Sequence, residues 1–470
     1  MANSKGKDLI KNTGILAIGN IATKAITFLL LPLYTALLNA EQYGIIENLT
    51  TYVTLLVPII NLQLSQAIFR FATEKRDSKA YVSRVYSTSA CLSFGLLIVY
   101  TGVFLLIQGF LDIPFKWYLL IGTWLNIFMQ MVSYAARGIG DNLAYSVGNF
   151  ILGASVIFFN ILFLAVFKMG IMGMLTSYCL GPMLGITFIT IRIKLWKFLK
   201  LELCSFKEAK NQLSYSLPLV PNELSWWALN VSNKVVITHF LGYAATGLFS
   251  VAAKFSMIFS TAFSVFNASW TEQVVLHFHD DDGIQFIKST INRAVRFFIA
   301  LNLMIIATMP FVYPFMVNTS YQSAYNQVPL FLIATVGQVF IGLVSPIYLV
   351  NNETKKVAEA TVTAAIINVV ADIILVRYIG VYAAAMASII GYSVVAIIRI
   401  IDIQKRYFKL ELSKKLLLSL LLMYVLVCAL YFYNNLIGNI VGWLGCMVYC
   451  VYINKDILSK IKAYLRNRAA

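Results

Sequence analysis

Residues 416–454 read LLLSLLLMYVLVCALYFYNNLIGNIVGWLGCMVYCVYIN, and these 39 residues hold no Asp, Glu, Lys or Arg. Asn434 and Asn435 form the one turn-prone interruption, which divides the run into 416–433 and 436–453. Each half approaches the roughly 20 apolar residues that a helix needs to cross a bilayer. The same reading extends toward the N-terminus. Cutting the apolar runs at charged or turn-rich gaps adds spans at 12–38, 45–69, 85–110, 117–136, 144–167, 171–191 and 213–240. Five more fall at 247–270, 290–313, 325–350, 357–376 and 382–401, so the sequence predicts about 14 transmembrane helices. The first apolar run, from Ile10 to Leu38, is too long for a signal-peptide core and is expected to be an uncleaved helix.

The chain is 60% hydrophobic and 12% charged, about half the charge of a soluble domain, which excludes an ordinary soluble enzyme. Its formal charge of +17 would suggest nucleic acid in a soluble protein. Here the basic residues follow the loops instead, and no nucleic-acid partner is implied. With the N-terminus placed in the cytoplasm, 31 Lys and Arg fall on inner segments and only Lys116, Lys168 and Arg377 on outer ones. That asymmetry predicts a multi-pass protein of the bacterial inner membrane with both termini cytoplasmic. The six cysteines show no metal-ligand spacing. The run His277-Phe-His279-Asp280-Asp281-Asp282 lacks the alternation of a calcium loop and reads as a solvated acidic turn, so neither a metal nor a cofactor is expected.

An internal repeat supports the count. Thr35-Ala-Leu-Leu38 with Gly44 matches Thr238-His-Phe-Leu241 with Gly247 at an offset of 203. Gly170-Ile-Met-Gly173 matches Gly380-Val-Tyr-Ala383 at an offset of 210. Six helices separate the copies, so the halves run parallel, a transporter architecture. The expected organisation is an N-terminal lobe at 1–191, a basic cytoplasmic linker at 192–211, a C-terminal lobe at 212–402, and two further helices with a tail at 403–470. Trp196, Phe198, Leu199 and Leu201 alternate with lysines in the linker, which is expected to lie on the anionic inner leaflet.

The sequence carries no enzymatic constellation, so the chain is not expected to be an enzyme. The informative residues are ionisable groups inside spans, which are costly unless they face a cavity or a partner. Lys24 lies 13 residues beyond Lys11, about 20 Å into the bilayer. Lys234 and Lys254 sit in the seventh and eighth spans, Glu47 opens the second, Glu223 lies near the inner start of the seventh, and Asp372 is late in the eleventh. Lys24, Glu47, Lys234 and Lys254 fall on the leading pair of helices in each half, where a central cationic cavity would attract an anionic substrate. Pairing with nearby carboxylates is the alternative. Glu47, Glu223 and Asp372 are candidate carriers of a coupling H+ or Na+, or ion-pair partners. Asn61, Gln63, Ser65 and Gln66 offer donors and acceptors suited to sugar hydroxyls, or to hydrogen bonds between helices. Pro32, Pro58, Pro182, Pro218 and Pro221 interrupt spans and are candidate hinges.

Taken in order, several segments resemble the polysaccharide-repeat flippases of the O-antigen and capsule type, within the multidrug, oligosaccharidyl-lipid and polysaccharide exporter superfamily. They are the polar start through Lys11-Asn12, Pro32-Leu-Tyr-Thr-Ala-Leu-Leu38, Glu41-Gln-Tyr-Gly44, Ile45-Ile-Glu47 and Ala67-Ile-Phe-Arg70. Gly247-Leu-Phe-Ser250-Val-Ala-Ala-Lys254, Asn352-Glu-Thr-Lys355, Asn368 and Gly380 complete the set. The resemblance implies an all-α protein with two parallel six-helix lobes in a V plus two C-terminal helices. It implies alternating access, and an undecaprenyl-pyrophosphate-linked oligosaccharide as cargo. Lys24, Lys234 and Lys254 would neutralise the pyrophosphate, Arg70 would attract it at the inner entrance, and the polar face of the second helix would meet sugars. Membrane lipids and a polysaccharide polymerase machinery are the further partners implied. Two branches compete. A multidrug or cation antiporter would favour an acidic site, and the core helices here lean basic. A peptidoglycan-precursor flippase would carry an arginine-rich first outer turn, which this chain lacks.

Overall fold

A computed structural model describes residues 28–410, 413–456 and 459, and Lys24 lies outside them. Among the described residues there is no β-strand, and eleven helical stretches are long and apolar enough to cross a membrane. The protein is all-α and spans the membrane many times. It divides into two compact units, residues 1–247 and 248–470.

The first unit begins with α1 (Leu31–Leu37), the described end of the first predicted span. The second span opens earlier than hydropathy suggests, because Asn39 caps α2 (Ala40–Asn61). Asn39 Oδ1 accepts from the Gln42 N–H at 2.8 Å, and Gln42 Oε1 accepts from the Asn39 N–H at 3.1 Å, a reciprocal capping box. This span is not one continuous helix. Leu62 and Gln63 adopt left-handed conformations with φ of 48° and 57°, and α3 (Leu64–Glu74) restarts beyond them. Pro58, one turn earlier, has no N–H to offer the Thr54 carbonyl, which weakens α2 just before the break.

Four continuous helices follow: α4 (Lys79–Ile107), α5 (Trp117–Gly138), α6 (Asn142–Asn160) ending in a wide π turn at Ile161–Val166, and α7 (Gly170–Ile193). The basic segment after α7 is folded rather than loose. Two short 3₁₀ turns, Leu195–Lys197 and Leu201–Leu203, strap it onto the start of α4. Ser87 Oγ donates to the Phe198 carbonyl at 3.2 Å and accepts from the Lys200 N–H at 2.9 Å. The Ser205 N–H reaches Thr88 Oγ1 at 3.2 Å. Beyond the strap, the seventh predicted span comes in three pieces: α8 (Phe206–Ser216), α9 (Leu219–Asn230) and the opening of α10 (Ser232–His277). Gly242, at φ 83°, turns the chain inside α10. Its 46 residues would extend about 69 Å, more than twice the roughly 30 Å hydrocarbon core, so α10 holds the end of one crossing and the whole of the next.

The repeat-related glycines meet. A Cβ on Gly44 would lie 1.8 Å from the Tyr243 carbonyl oxygen, and a Cβ on Gly247 would lie 1.9 Å from that of Ala40. Ala40 and Tyr243 are themselves related by the offset of 203, so each copy presents the same carbonyl to the other's glycine. Only a residue without a side chain permits this approach.

The second unit contains the remainder of α10, then α11 (Gly283–Met316), α12 (Val328–Val350), α13 (Thr354–Ile379) and α14 (Ala383–Arg406). The final pair, α15 (Lys414–Tyr433) and α16 (Leu436–Ile453), ends where the uncharged run predicted. This pair is tied to α11 by polar contacts. Tyr424 Oη donates to Asn302 Oδ1 at 3.0 Å, and Trp443 Nε1 to Thr308 Oγ1 at 3.1 Å. At the other end of the unit, buried Arg399 on α14 donates to Ser345 Oγ at 2.5 Å, to the Val357 carbonyl at 3.1 Å and to Thr361 Oγ1 at 3.1 Å. One guanidinium thereby joins α12, α13 and α14. The outward faces of α4, α6, α15 and α16 are apolar and exposed, as lipid contact requires.

Two tests follow from this architecture. Gly44→Ala and Gly247→Ala each force backbone apart, and each should lower stability by about 1–3 kcal/mol. The melting point in detergent should fall for both and hold for Gly95→Ala, whose Cβ meets nothing within 4 Å. Glu353, just before α13, accepts two 2.6 Å contacts from Arg406, which hold its carboxyl below the ordinary value of 4.5. A depressed carboxylate contributes its stability above that ordinary value and loses it as pH falls through the lower, folded-state value. Thermal melts in acid should therefore show a decline below pH 4.5 that Glu353→Gln reduces.

Candidate substrate-binding site

In the first unit, polar side chains of α2 and α9 face each other. At one end, Lys234 Nζ donates to Glu47 Oε2 at 2.5 Å. Their side chains are 20% and 8% exposed, so both charges are largely withdrawn from solvent. Lys234 reaches Glu47 because the chain breaks at Val231 and α10 restarts with the Lys234 N–H bonded to the Val231 carbonyl at 3.1 Å. One turn along α2 from Glu47, Thr50 and Thr51 return their hydroxyls to the Glu47 carbonyl at 2.9 and 2.7 Å. Thr54 Oγ1 then accepts from Trp227 Nε1 at 3.2 Å, which joins α2 to α9. A cavity of about 340 Å³ opens among Thr50, Thr54, Glu223, Trp226, Trp227 and Lys234.

A second cavity of about 220 Å³ lies at the far end of α2, and its lining is mostly polar. Gln63 and Gln66 enter from the broken span, Gln130 and Tyr134 from α5, Tyr145 and Asn149 from α6, and Glu223 from α9. Several partners are already set. Gln66 Nε2 donates to Tyr134 Oη at 3.2 Å, Ser65 Oγ contacts Gln130 Oε1 at 3.5 Å, and Asn149 Nδ2 donates to the Tyr145 carbonyl at 2.8 Å. The left-handed pair Leu62–Gln63 re-aims Gln63 and starts α3 on a new axis, so the break itself shapes this pocket. Glu223 lines both cavities and is exposed. Glu47 and Gln63 are 16 positions apart, about 24 Å by helical rise. Although Leu55 to Ile60 between them are apolar, Glu223 lines both cavities and links the polar groups at the two ends into one track.

The cations at this end stack on aromatic rings. The Arg70 guanidinium lies 4.3 Å from the Tyr215 ring centroid. Arg137 lies 4.5 Å from that of Phe69 and 5.2 Å from that of Tyr145, and its Nε is buried without a hydrogen-bond partner among the described residues. Stacked guanidinium groups keep their N–H edges available for oxyanions while the ring shields one face.

The structure thus brings Gln63, Gln66 and Glu223 to one pocket and Glu47 to Lys234. Asn61 is elsewhere: it is buried, and its Oδ1 accepts from Ser93 Oγ on α4 at 2.8 Å, an interhelical bond. Lys254 and Asp372 lie in the second unit. Lys254 is half-buried in α10. Asp372 is wholly buried, one turn from the wholly buried Asn368 on α13, and neither side chain has a hydrogen-bond partner among the described residues. His277 pairs with Asp280 at 2.7 Å, and among the described residues no group of His, Cys, Asp and Glu could hold a metal ion. Sequence reasoning missed the threonines of α2, Gln130, Tyr134, Tyr145, Asn149 and the two tryptophans. The signal was present: Thr50-Thr51-x-x-Thr54 and Gln130-x-x-Ser133-Tyr134 are polar stripes at helical spacing within apolar runs.

Comparison with known proteins bears on the fold and the family. The fold is similar to that of a multidrug resistance MATE family transporter of the MOP superfamily in its inward-facing conformation, with a TM-score of 0.61 and 18% identity over 83% of this chain and 94% of that one. An outward-facing conformation of such a transporter gives a TM-score of 0.56 and 18% identity over 84% of this chain and 95% of that one. At such identity the likeness is one of fold. Comparison with curated protein sequences gives no match. A family model described as polysaccharide biosynthesis protein matches residues 9–270, more than half the chain. This multi-pass membrane protein with a MATE-like fold belongs to the polysaccharide biosynthesis protein family.

Proposed function

We propose that the protein flips an undecaprenyl-pyrophosphate-linked oligosaccharide repeat unit from the cytoplasmic to the outer leaflet of the bacterial inner membrane, for surface polysaccharide assembly. The lobes predicted from the repeat alternate access between the two faces, and both termini are cytoplasmic. The observation that carries this reading is the polar track of the first unit, from the Glu47–Lys234 pair to the amide and tyrosine pocket. Amides, phenols and a carboxylate offer the mixed donors and acceptors that sugar hydroxyls need, and Trp226 offers a face for a sugar ring.

In this reading Gln63, Gln66, Gln130 and Asn149 hold saccharide hydroxyls. Arg70 meets the pyrophosphate at the entrance, and Lys234 takes it over, with Lys24 and Lys254 as further cations. A pyrophosphate at Lys234 displaces Glu47, whose freed carboxylate then favours taking up a proton or Na+. The unpartnered Asp372 and Asn368 of the second unit supply a second place for such a coupling ion. A polysaccharide polymerase machinery receives the flipped product.

One feature favours a multidrug or cation antiporter instead. Glu223 beside Trp226 and Trp227 makes an acidic, aromatic corner suited to a lipophilic cation. Binding separates the readings. Purified protein should bind a short-chain prenyl-pyrophosphate sugar saturably, and Lys234→Gln should weaken that binding about tenfold, as loss of one charge-assisted contact does. Glu223→Gln should cost the sugar ligand severalfold at most. Saturable binding of a lipophilic cationic dye alone, abolished by Glu223→Gln, would move the assignment to the antiporter.

The ion pair makes its own prediction. Glu47→Gln and Lys234→Gln should each lower the melting point, and the double variant should lose less than their sum, with a coupling of about 1–3 kcal/mol. Additive losses would mean that the two side chains do not act together.

A further inference from the structure

The basic strap covers a cavity that the transport reading does not use. Between the strap, α4 and α5 lies an apolar groove of about 360 Å³. Ala90 and Phe94 of α4 line it, with Phe128 and Met131 of α5 and Leu199 and Leu201 of the strap. Ala90 and Ala135 leave the space, and the phenyl rings form the far wall. Along α4 the groove runs from Tyr86 to Phe94, about 12 Å, and its far end lies about 14 Å beyond residue 85, where the predicted span begins. That depth belongs to acyl chains, not to water or soluble ligands.

The mouth of the groove is cationic. Lys200 lines it, Lys194 and Lys197 stand exposed on the same strap, and no carboxylate pairs with these three among the described residues. Lys79 Nζ lies 5.8 Å from the Phe198 ring centroid, on the side where α4 starts. Two carboxylates at the ends of the strap are engaged: Asp141 faces Arg192, just before it, at 3.5 Å, and Glu208, just after it, is buried against Gln212 at 3.4 Å. Glu202 is the one exposed acid in the strap. Trp196 (55% exposed), Leu201 (83%) and Phe206 (87%) project from the same segment and are placed to enter the interface.

We propose that this groove binds one acyl chain of an anionic phospholipid, whose headgroup phosphate is held by Lys194, Lys197 and Lys200. The occupant is a resident lipid and not the transported cargo. An apolar slot of chain width opening under unpaired lysines matches the two ends of such a lipid: the chain replaces exposed apolar surface, and the phosphate satisfies the ammonium groups. The strap is pinned to α4 by hydrogen bonds between its backbone and the hydroxyls of Ser87 and Thr88, so a bound lipid would be clamped between two fixed walls.

The test is lipid retention by the full-length protein in detergent, read by native mass spectrometry, together with its melting point. Phosphatidylglycerol should be retained and should raise the melting point, and phosphatidylcholine should do so weakly. Lys197→Gln with Lys200→Gln should reduce phosphatidylglycerol affinity about fivefold per charge and leave the melting point of the lipid-free protein unchanged. Ala90→Trp, which fills the groove, should abolish retention of both lipids. Equal retention of the two lipids by wild type, or an unchanged preference in the double lysine variant, would overturn the proposal. Retention of undecaprenyl phosphate with no retention of phosphatidylglycerol would overturn it too, by assigning the groove to the cargo's tail.

Discussion

Glu47 and Lys234 are 187 residues apart in sequence and in contact in space, and the arrangement of the first unit depends on that contact. Either charge alone inside an apolar bundle is unfavourable by several kcal/mol, because nothing there replaces its hydration. Together they tie the outer-facing start predicted for α2 to the restart of α10, and α9 is held between them. Trp227 then reaches Thr54, and Glu223 is delivered to the junction of the two polar cavities. A purely apolar contact could hold the same helices, but it would leave nothing that a charged substrate or a proton could compete for. The pair is therefore a structural tie and, under the proposed function, the point of release.

The strap acts in a complementary way. Ser87 and Thr88, early in α4, satisfy backbone groups of the segment 198–205 that would otherwise lie unpaired at the membrane boundary. This fixes where α8 begins. It also keeps Tyr215 beneath Arg70, so the cation expected at an entrance is held by an aromatic face and not by a carboxylate. Under the proposed function, a substrate anion approaching Arg70 would meet a charge whose hydrogen bonds are still available.

How much of this could be read from sequence follows from what hydropathy measures. Runs of 18 to 29 apolar residues were legible because crossing a bilayer sets their length: α4, α5, α7, α15 and α16 begin and end within a few residues of the expected positions, apart from the first turns of α4. The breaks were legible only in part: Pro218 marks the gap between α8 and α9, but two others left no such sign. Leu62 and Gln63 take a left-handed backbone that no local preference of Leu or Gln favours, and tertiary packing imposes it. Val231 likewise gives no sign that the seventh span is cut there. The candidate site suffered for the same reason. Gln63 and Gln66 could be named, but the partners Gln130, Tyr145 and Asn149 come from other helices, and pairing between helices leaves no trace in one chain's periodicity. Asn61, two residues from Gln63, shows the converse: similar chemistry in the same span, turned to α4 by the break. The folded strap was read as a surface linker, because its lysines are conspicuous and its hydrogen bonds to Ser87 and Thr88 are invisible in composition.

The reciprocal approach of Gly44 and Gly247 carries a further meaning. Each glycine receives the carbonyl of the residue four positions before the other glycine, Tyr243 for Gly44 and Ala40 for Gly247. In the language of assemblies this contact is isologous: one surface patch meeting its own copy, as in a homodimer with two-fold symmetry. A half-length ancestor that paired through this helix start would place the same two atoms against each other, once from each subunit. Fusion of the two genes would turn that subunit interface into an internal seam and free its two sides to diverge. Lys234 and Glu47 are not equivalents under the repeat, whose offset relates them to Leu31 and Ser250, so the ion pair has no repeat-related copy and the symmetric seam carries an asymmetric charge.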